Sequence, residues 1–173
     1  MKMRTALVLF VCLNLVFCAS SQKKIEIARQ KDPRYHYNMG LFFLNTGNFD
    51  EAMRYLKTSL SLNPSYDLAL NALGLTWAMK GNFEEAVKCY EECLKVNPSL
   101  TEAHNNLGAA YQEMGLIDKA ESEFRIALSD VRYKSKELPY YNLARLYLIR
   151  EKLQEALGYI EKSLEIDRGM AMA

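Results

Sequence analysis

The stretch "GNFDEAMRYLKTSLSLNP", residues 47–64, returns as "GNFEEAVKCYEECLKVNP" at residues 81–98. Each opens on a glycine, the residue that suits a left-handed cap where one helix ends. Each closes on a proline, which ends a helix by crowding the residue before it. Between these marks, Asn48–Glu51 and Asn82–Glu85 stand at capping-box spacing, so the reading places a helix start at both. The interval is 34 residues, room for two short helices and their turns.

Outward from this pair the same register runs through four segments, Pro33–Tyr66, Asp67–Leu100, Thr101–Lys134 and Glu137–Met170. Counted from the start of each segment, place 8 holds Gly40, Gly74, Gly108 and Ala144. Place 20 holds Ala52, Ala86, Ala120 and Ala156, and place 27 holds Ser59, Cys93, Ala127 and Ser163. These are small residues where two helices must approach closely. Larger apolar residues surround them: Phe43, Trp77, Tyr111 and Tyr147 at place 11, Phe49, Phe83, Ile117 and Leu153 at place 17, and Leu56, Tyr90, Phe124 and Ile160 at place 24. Their spacing puts one apolar stripe on each helix of a pair. One pair cannot bury both stripes alone, and stacked pairs do, so the expected fold is an all-α solenoid. Gly47, Gly81 and Gly115 separate the two helices of a pair; Glu151 takes that place in the fourth, at a cost of about 1 kcal/mol if the left-handed backbone is kept.

The alanines of place 20 step by 34 residues until Ala120, and then Ala156 follows after 36. The surplus lies in "SDVRYKSKELP", residues 129–139, where Arg132 replaces the proline found at Pro64 and Pro98. Pro139 lacks an N–H and belongs in a first helical turn. The next helix is therefore expected to begin near Ser135 or Lys136, with the two extra residues in the loop before it. Ser99 and Glu102 are placed to cap the helix of the third segment.

The first residues differ from the rest. Lys2 and Arg4 precede an apolar run from Ala6 to Phe17, and small residues follow, the layout of a secretory signal peptide. Twelve helical residues reach only about 18 Å against the ~30 Å of a bilayer core, so a permanent span is not expected. A buried N-terminal helix is the structural alternative. "LVFC", ending at Cys18, resembles the lipobox of bacterial lipoproteins, which implies lipidation at Cys18. Phe17 departs from that pattern, where a small residue is usual, and ordinary cleavage near Ala19–Ser21 is the rival reading. Residues 1–19 are thus read as the leader and 20–32 as a polar tether or short N-terminal segment.

Catalytic chemistry finds no foothold. The net charge is +1 with both signs interspersed, so no nucleic-acid footprint is expected. None of the 8 glycines builds a phosphate-cradling loop. His36 and His104 both fall at place 4 and read as packing residues. Cys89 and Cys93, one helical turn apart, suit neither a disulfide nor a metal site; Cys93 fills small place 27, and a reactive Cys89 is the alternative. No cofactor or metal is expected, and no enzyme.

The residues at places 8, 20, 27 and 32 resemble the tetratricopeptide repeat (TPR), a 34-residue helix–turn–helix unit, over residues 33–170. The resemblance implies a right-handed superhelix with a concave groove lined from the first helix of each pair. On this sequence the groove residues would be Tyr37, Leu41 and Leu44, then Leu68, Asn71, Leu75 and Met79. Asn105 and Gln112 follow, and then Leu138, Tyr141, Arg145, Leu148 and Ile149. So apolar a lining suits a bound protein segment, with Asn71 and Asn105 able to bond its backbone; alternatively, several of these leucines pack between repeats. Tyr37 and Leu41 replace the Lys and Asn of chaperone-binding members, which argues against acidic C-terminal tails as ligands.

The lengthened junction with Asp130 and Tyr133, ahead of "NLA" at Asn142–Ala144, looks like one TPR family, the type IV pilus biogenesis/stability lipoproteins. That resemblance implies an outer-membrane lipoprotein facing the periplasm that binds the pilus secretin, although members carry further repeats beyond the fourth. A secreted or periplasmic adaptor for another envelope complex, soluble if Cys18 is not lipidated, is the alternative. After Ile166 only "DRGMAMA" remains, so Leu148, Ile149, Leu157 and Ile160 are expected to be partly exposed, with self-association or fraying of the fourth repeat as the consequence.

Overall fold

The computed structural model describes residues 28–166, so the leader and Cys18 lie outside the described residues. Among the described residues, eight helices of 13 or 14 residues follow one another: α1 (Pro33–Asn45), α2 (Phe49–Leu62), α3 (Asp67–Met79), α4 (Phe83–Val96), α5 (Thr101–Glu113), α6 (Ile117–Ser129), α7 (Glu137–Ile149) and α8 (Leu153–Ile166). Each odd-numbered helix packs on the one after it, and each even-numbered helix packs on the first helix of the next pair. The first helices also meet one another, α1 with α3, α3 with α5 and α5 with α7, whereas the second helices pack chiefly on first helices. The first helices therefore lie on the inner side of the curve. The fold is an all-α, helix-pair solenoid of the TPR type.

Small places set how close a pair comes. A Cβ added at Gly74 would stand 2.6 Å from Tyr90 Cε1, and one at Gly108 2.7 Å from Phe124 Cε1. Gly40 stands to Leu56 in the same way, at 2.6 Å from Cγ. Ala52, Ala86, Ala120 and Ala156 at place 20 are fully buried, and Tyr90 and Phe124 at place 24 are buried beside them. Place 27 does more than stay small. Ser59 Oγ donates to Pro33 O at 2.7 Å, Cys93 Sγ to Asp67 O at 3.2 Å and Ser163 Oγ to Glu137 O at 2.9 Å. Each bond ties the end of the second helix to the first residue of its own pair. Ala127 has no such donor, and there Thr101 Oγ1 donates to Asp130 Oδ2 at 2.7 Å instead. Both thiols are buried, which pushes Cys89 and Cys93 up to about 11 and keeps them protonated and unreactive at neutral pH.

Local signals are met unevenly. Asn82 accepts from the N–H of Glu85 at 3.2 Å, one half of a capping box; the other half is not made, since the Asn82 N–H donates to Trp77 O. Asn48 does not cap: its amide donates to Thr46 Oγ1 at 3.1 Å, a partner that the second pair lacks because Lys80 stands there. Ser99 is one residue too early to cap α5, which follows Leu100, and its hydroxyl bonds Asn97 at 2.9 Å. At the long junction the helix starts at Glu137, later than Ser135 or Lys136. Lys136 already has helical backbone angles (φ −67°, ψ −19°), and Pro139 sits buried in the first turn. Of the residues expected to be exposed at the C-terminal end, Leu148, Ile149 and Leu157 are, and Ile160 is half-buried.

The histidines of place 4 do more than pack. His104 Nδ1 faces Glu123 at 2.6 Å and Nε2 faces Pro98 O at 3.1 Å. Both partners are acceptors, so the doubly protonated ring satisfies both. The hydrogen bond to Glu123 raises the His104 pKa, burial opposes it, and the Pro98 carbonyl adds to the rise. A group whose pKa is raised by folding contributes stability in full below its unfolded value, about 6.5, and loses it as pH climbs through the folded value. Thermal unfolding should therefore show stability falling as pH rises from 6 toward the upper end of neutrality, and His104→Gln should flatten that slope. A second outcome concerns the turns: Gly47, Gly81 and Gly115 have φ of 75°, 77° and 74°, and Glu151 keeps φ 59°. Glu151→Gly should stabilise the chain by about 0.5–1 kcal/mol in denaturant titration, and Gly115→Ala should destabilise it.

Candidate protein-binding face

Places 2, 5, 9, 12 and 13 fall on one side of each first helix, toward the neighbouring first helices. This is where α3, α5 and α7 line up. The structure divides the residues expected on this face into three groups.

Some hold the repeats together. Tyr37 and Leu41 are half-buried and pack with Leu56, Ala69, Ala72 and Leu73 of the following junction. Burial raises the Tyr37 phenol, and its ring lies 5.2 Å from that of Tyr66. Leu44 is buried. Asn71 and Asn105, each 6% exposed, were expected to offer both amide ends to a ligand. Their carbonyl oxygens are already engaged. Asn106 Nδ2 donates to Asn71 Oδ1 and Asn142 Nδ2 to Asn105 Oδ1, both at 3.1 Å. The amides thus form a ladder from α7 to α5 and from α5 to α3. What Asn71 and Asn105 retain for a ligand is their NH2 group. Asparagines at places 5 and 6 of successive repeats were the sequence signal for this ladder.

A second group faces outward. Leu68, Met79, Leu138, Tyr141, Leu148 and Ile149 are exposed, Met79 by 59% and Ile149 by 57%. Leu75 is half-buried between them. Arg145 on α7 bridges to Glu113 on α5 at 3.1 Å, so its charge is tied down across the face. Glu113 was not singled out in the sequence, because the pairing joins two helices 32 residues apart.

Gln112 stands by itself. It is 6% exposed, and neither Nε2 nor Oε1 has a hydrogen-bond partner. On α5 it follows Asn105 and Ala109 at spacings of four and three residues, which puts it on the same strip as the ladder. A buried amide left unpaired costs about 1–3 kcal/mol. Among the described residues no cluster of three His, Cys, Asp or Glu could hold a metal, and no helix is long and apolar enough to cross a membrane. The chemistry of this face is that of binding.

Comparison with known proteins agrees with this architecture. Family profiles described as tetratricopeptide repeat match residues 33–66 and 99–169, and one described as TPR repeat matches residues 78–115. No curated protein sequence matches. Among solved structures, that of Pseudomonas aeruginosa pilF is 26% identical, with a TM-score of 0.76 over 82% of this chain and 64% of that one. The chain therefore spans less than two thirds of the pilF structure. TTC0263, a thermophilic TPR protein of Thermus thermophilus, is 27% identical with a TM-score of 0.70 over 79% of this chain and 75% of that one. MamA of Desulfovibrio magneticus RS-1, at 21% identity and a TM-score of 0.69 over 80% and 77%, shows the fold alone.

Gln112→Leu should raise the stability of the chain by about 1 kcal/mol in denaturant titration, since an apolar group of similar shape removes the orphaned amide. Asn105→Leu should do the opposite, because it leaves Asn142 without its acceptor.

Proposed function

Because the chain is a tetratricopeptide-repeat α-solenoid, we propose that it is an envelope scaffold lipoprotein, anchored through Cys18, that assembles a type IV pilus secretin by holding one of its segments on the first-helix face. The observation that carries a binding role is the set of exposed apolar residues on the first-helix face, Met79, Leu148 and Ile149 among them. An apolar segment of the partner covers them. The envelope address rests on the leader ahead of Cys18. The pilus assignment rests on the junction at Asp130–Pro139 and is supported by the likeness to pilF. The comparable likeness to TTC0263, a TPR protein, supports equally the second reading, an adaptor for another envelope complex, whose envelope address again rests on the leader.

Apolar anchors at such an interface cost about 2 kcal/mol or more each when lost, roughly 30-fold in affinity. Met79→Glu with Leu148→Glu, both at exposed places, should leave the array folded and abolish partner binding. In a pilated strain deleted for this gene, the double variant should be present at normal abundance while heat-resistant secretin multimers and twitching motility are lost. Multimers forming normally without the protein would transfer the assignment to the adaptor reading.

A further inference from the structure

The three internal junctions share one construction. The leucines of place 28 in the first two repeats, Leu60 and Leu94, pack against the next first helix or the residues leading into it. At the second and third junctions the asparagine of place 6, Asn106 or Asn142, donates to place 5 of the preceding repeat; the first junction has Ala72 there. The charged residue of place 25 meets the place-11 aromatic of the following repeat. Lys57 Nζ lies 5.6 Å from the Trp77 ring, Glu91 accepts from Tyr111 Oη at 2.9 Å, and Arg125 donates to Tyr147 Oη at 3.1 Å.

Each end of the array carries one half of this junction, unmet among the described residues. On the last repeat, Leu164 at place 28, Glu161 at place 25 and Tyr141 at place 5 are exposed, Tyr141 by 55%. Leu157, Glu161 and Leu164 are spaced by four and three residues, one strip of α8. A pocket of about 320 Å³ opens there between Leu138, Tyr141, Ser163 and Leu164. In the second junction, Cys93 and Leu94, the residues at the places of Ser163 and Leu164, have Ala103 of the next helix packed on them. At the other end, the outer side of α1 presents Asn38 at place 6, Met39 at place 7 and Phe42 at place 10, Phe42 being 57% exposed. Place 7 is leucine in the other three repeats (Leu73, Leu107 and Leu143), buried in each junction.

We propose that α1 of a second copy docks on the last repeat as the first helix of a fifth would, so that copies join head to tail. In this register Asn38 donates to the Tyr141 hydroxyl, and Met39 and Phe42 cover Leu157 and Leu164. Tyr35, at the place of Ala69 and Ala103, enters the pocket, which is wider than alanine needs. Glu161 meets the electropositive edge of the Phe43 ring. Charge agrees: Arg29, Lys31 and Arg34 surround the docking helix, against Asp32, while α8 exposes Glu155, Glu161 and Glu165, against Lys162. The contact joins two different surfaces, so it does not close at a dimer. It lies at the ends of the array and does not rest on the secretin reading, although Leu138 and Tyr141 also belong to the first-helix face.

The test is sedimentation velocity on the full chain, expressed with its own leader and purified in mild detergent. The wild type should gain mass with concentration, passing twice the monomer mass. Phe42→Glu blocks one end and Leu164→Glu the other, so each variant should remain monomeric at every concentration. Their mixture retains one intact head and one intact tail, and should give a 1:1 heterodimer that grows no further. Circular dichroism checks that each is folded, and Leu157→Glu, also at an exposed place, must act as Leu164→Glu does. A wild type that stays monomeric, a single variant that associates like the wild type, or a mixture that forms no heterodimer each overturns the proposal. So does association that begins only when residues 167–173 are removed, which would assign the face to the chain's own tail.

Discussion

The closeness of the two helices within each pair governs everything else in this chain. With Gly74 against the ring of Tyr90, and Gly108 against that of Phe124, there is no room for even a methyl group. Interiors packed at crystal-like density do not absorb such an intrusion without shifting a helix. The fourth pair has Ala144 and Ile160 at the same two places. Because each pair has nearly the same thickness, successive pairs stack in one register, and residues 34 places apart meet equivalent surroundings.

That regularity is reinforced by polar ties that tolerate changes of chemistry. The end of each second helix is fastened to the start of its pair by Ser59, Cys93 or Ser163, and in the third pair by Thr101 with Asp130. Between pairs, place 25 is lysine, glutamate or arginine in the internal junctions, and the partner aromatic at place 11 changes with it. Trp77 offers a π face to a cation, while Tyr111 and Tyr147 offer a hydroxyl. Geometry is kept and the pairing chemistry drifts. The third junction adds a denser net, in which Glu121 accepts from Arg125, Tyr147 and Arg150. The bonds from Tyr147 and Arg150 span the junction that the two extra residues lengthen.

The same construction accounts for where binding surfaces can arise. Inside the array the asparagine ladder takes up places 5 and 6 at the second and third junctions, and the face that remains exposed is largely apolar. At the two ends the junction has no internal partner among the described residues, so half-junctions stand exposed. Function on such a scaffold needs no catalytic group, only side chains that the repeat leaves unsatisfied.

The sequence alone determined the helix pairs, their boundaries to within about two residues, and the small and large places of the core, because a 34-residue period writes the packing pattern out four times. Glu151 was legible as a left-handed residue for the same reason: three glycines mark its place. The face was less legible. Whether Leu41 or Leu148 lines a groove or packs between repeats depends on which neighbour covers it, and both are leucines on the same helical stripe. Only the tertiary structure separates them, by placing α3 over Leu41 while Leu148 is left exposed. It alone shows that Asn71 and Asn105 spend their oxygens on Asn106 and Asn142, that His104 is paired with Glu123, and that Gln112 is buried without a partner. Each of these joins residues at least 19 apart or records a missing neighbour, and hydrogen-bond partners across helices are set by distances that no local periodicity encodes.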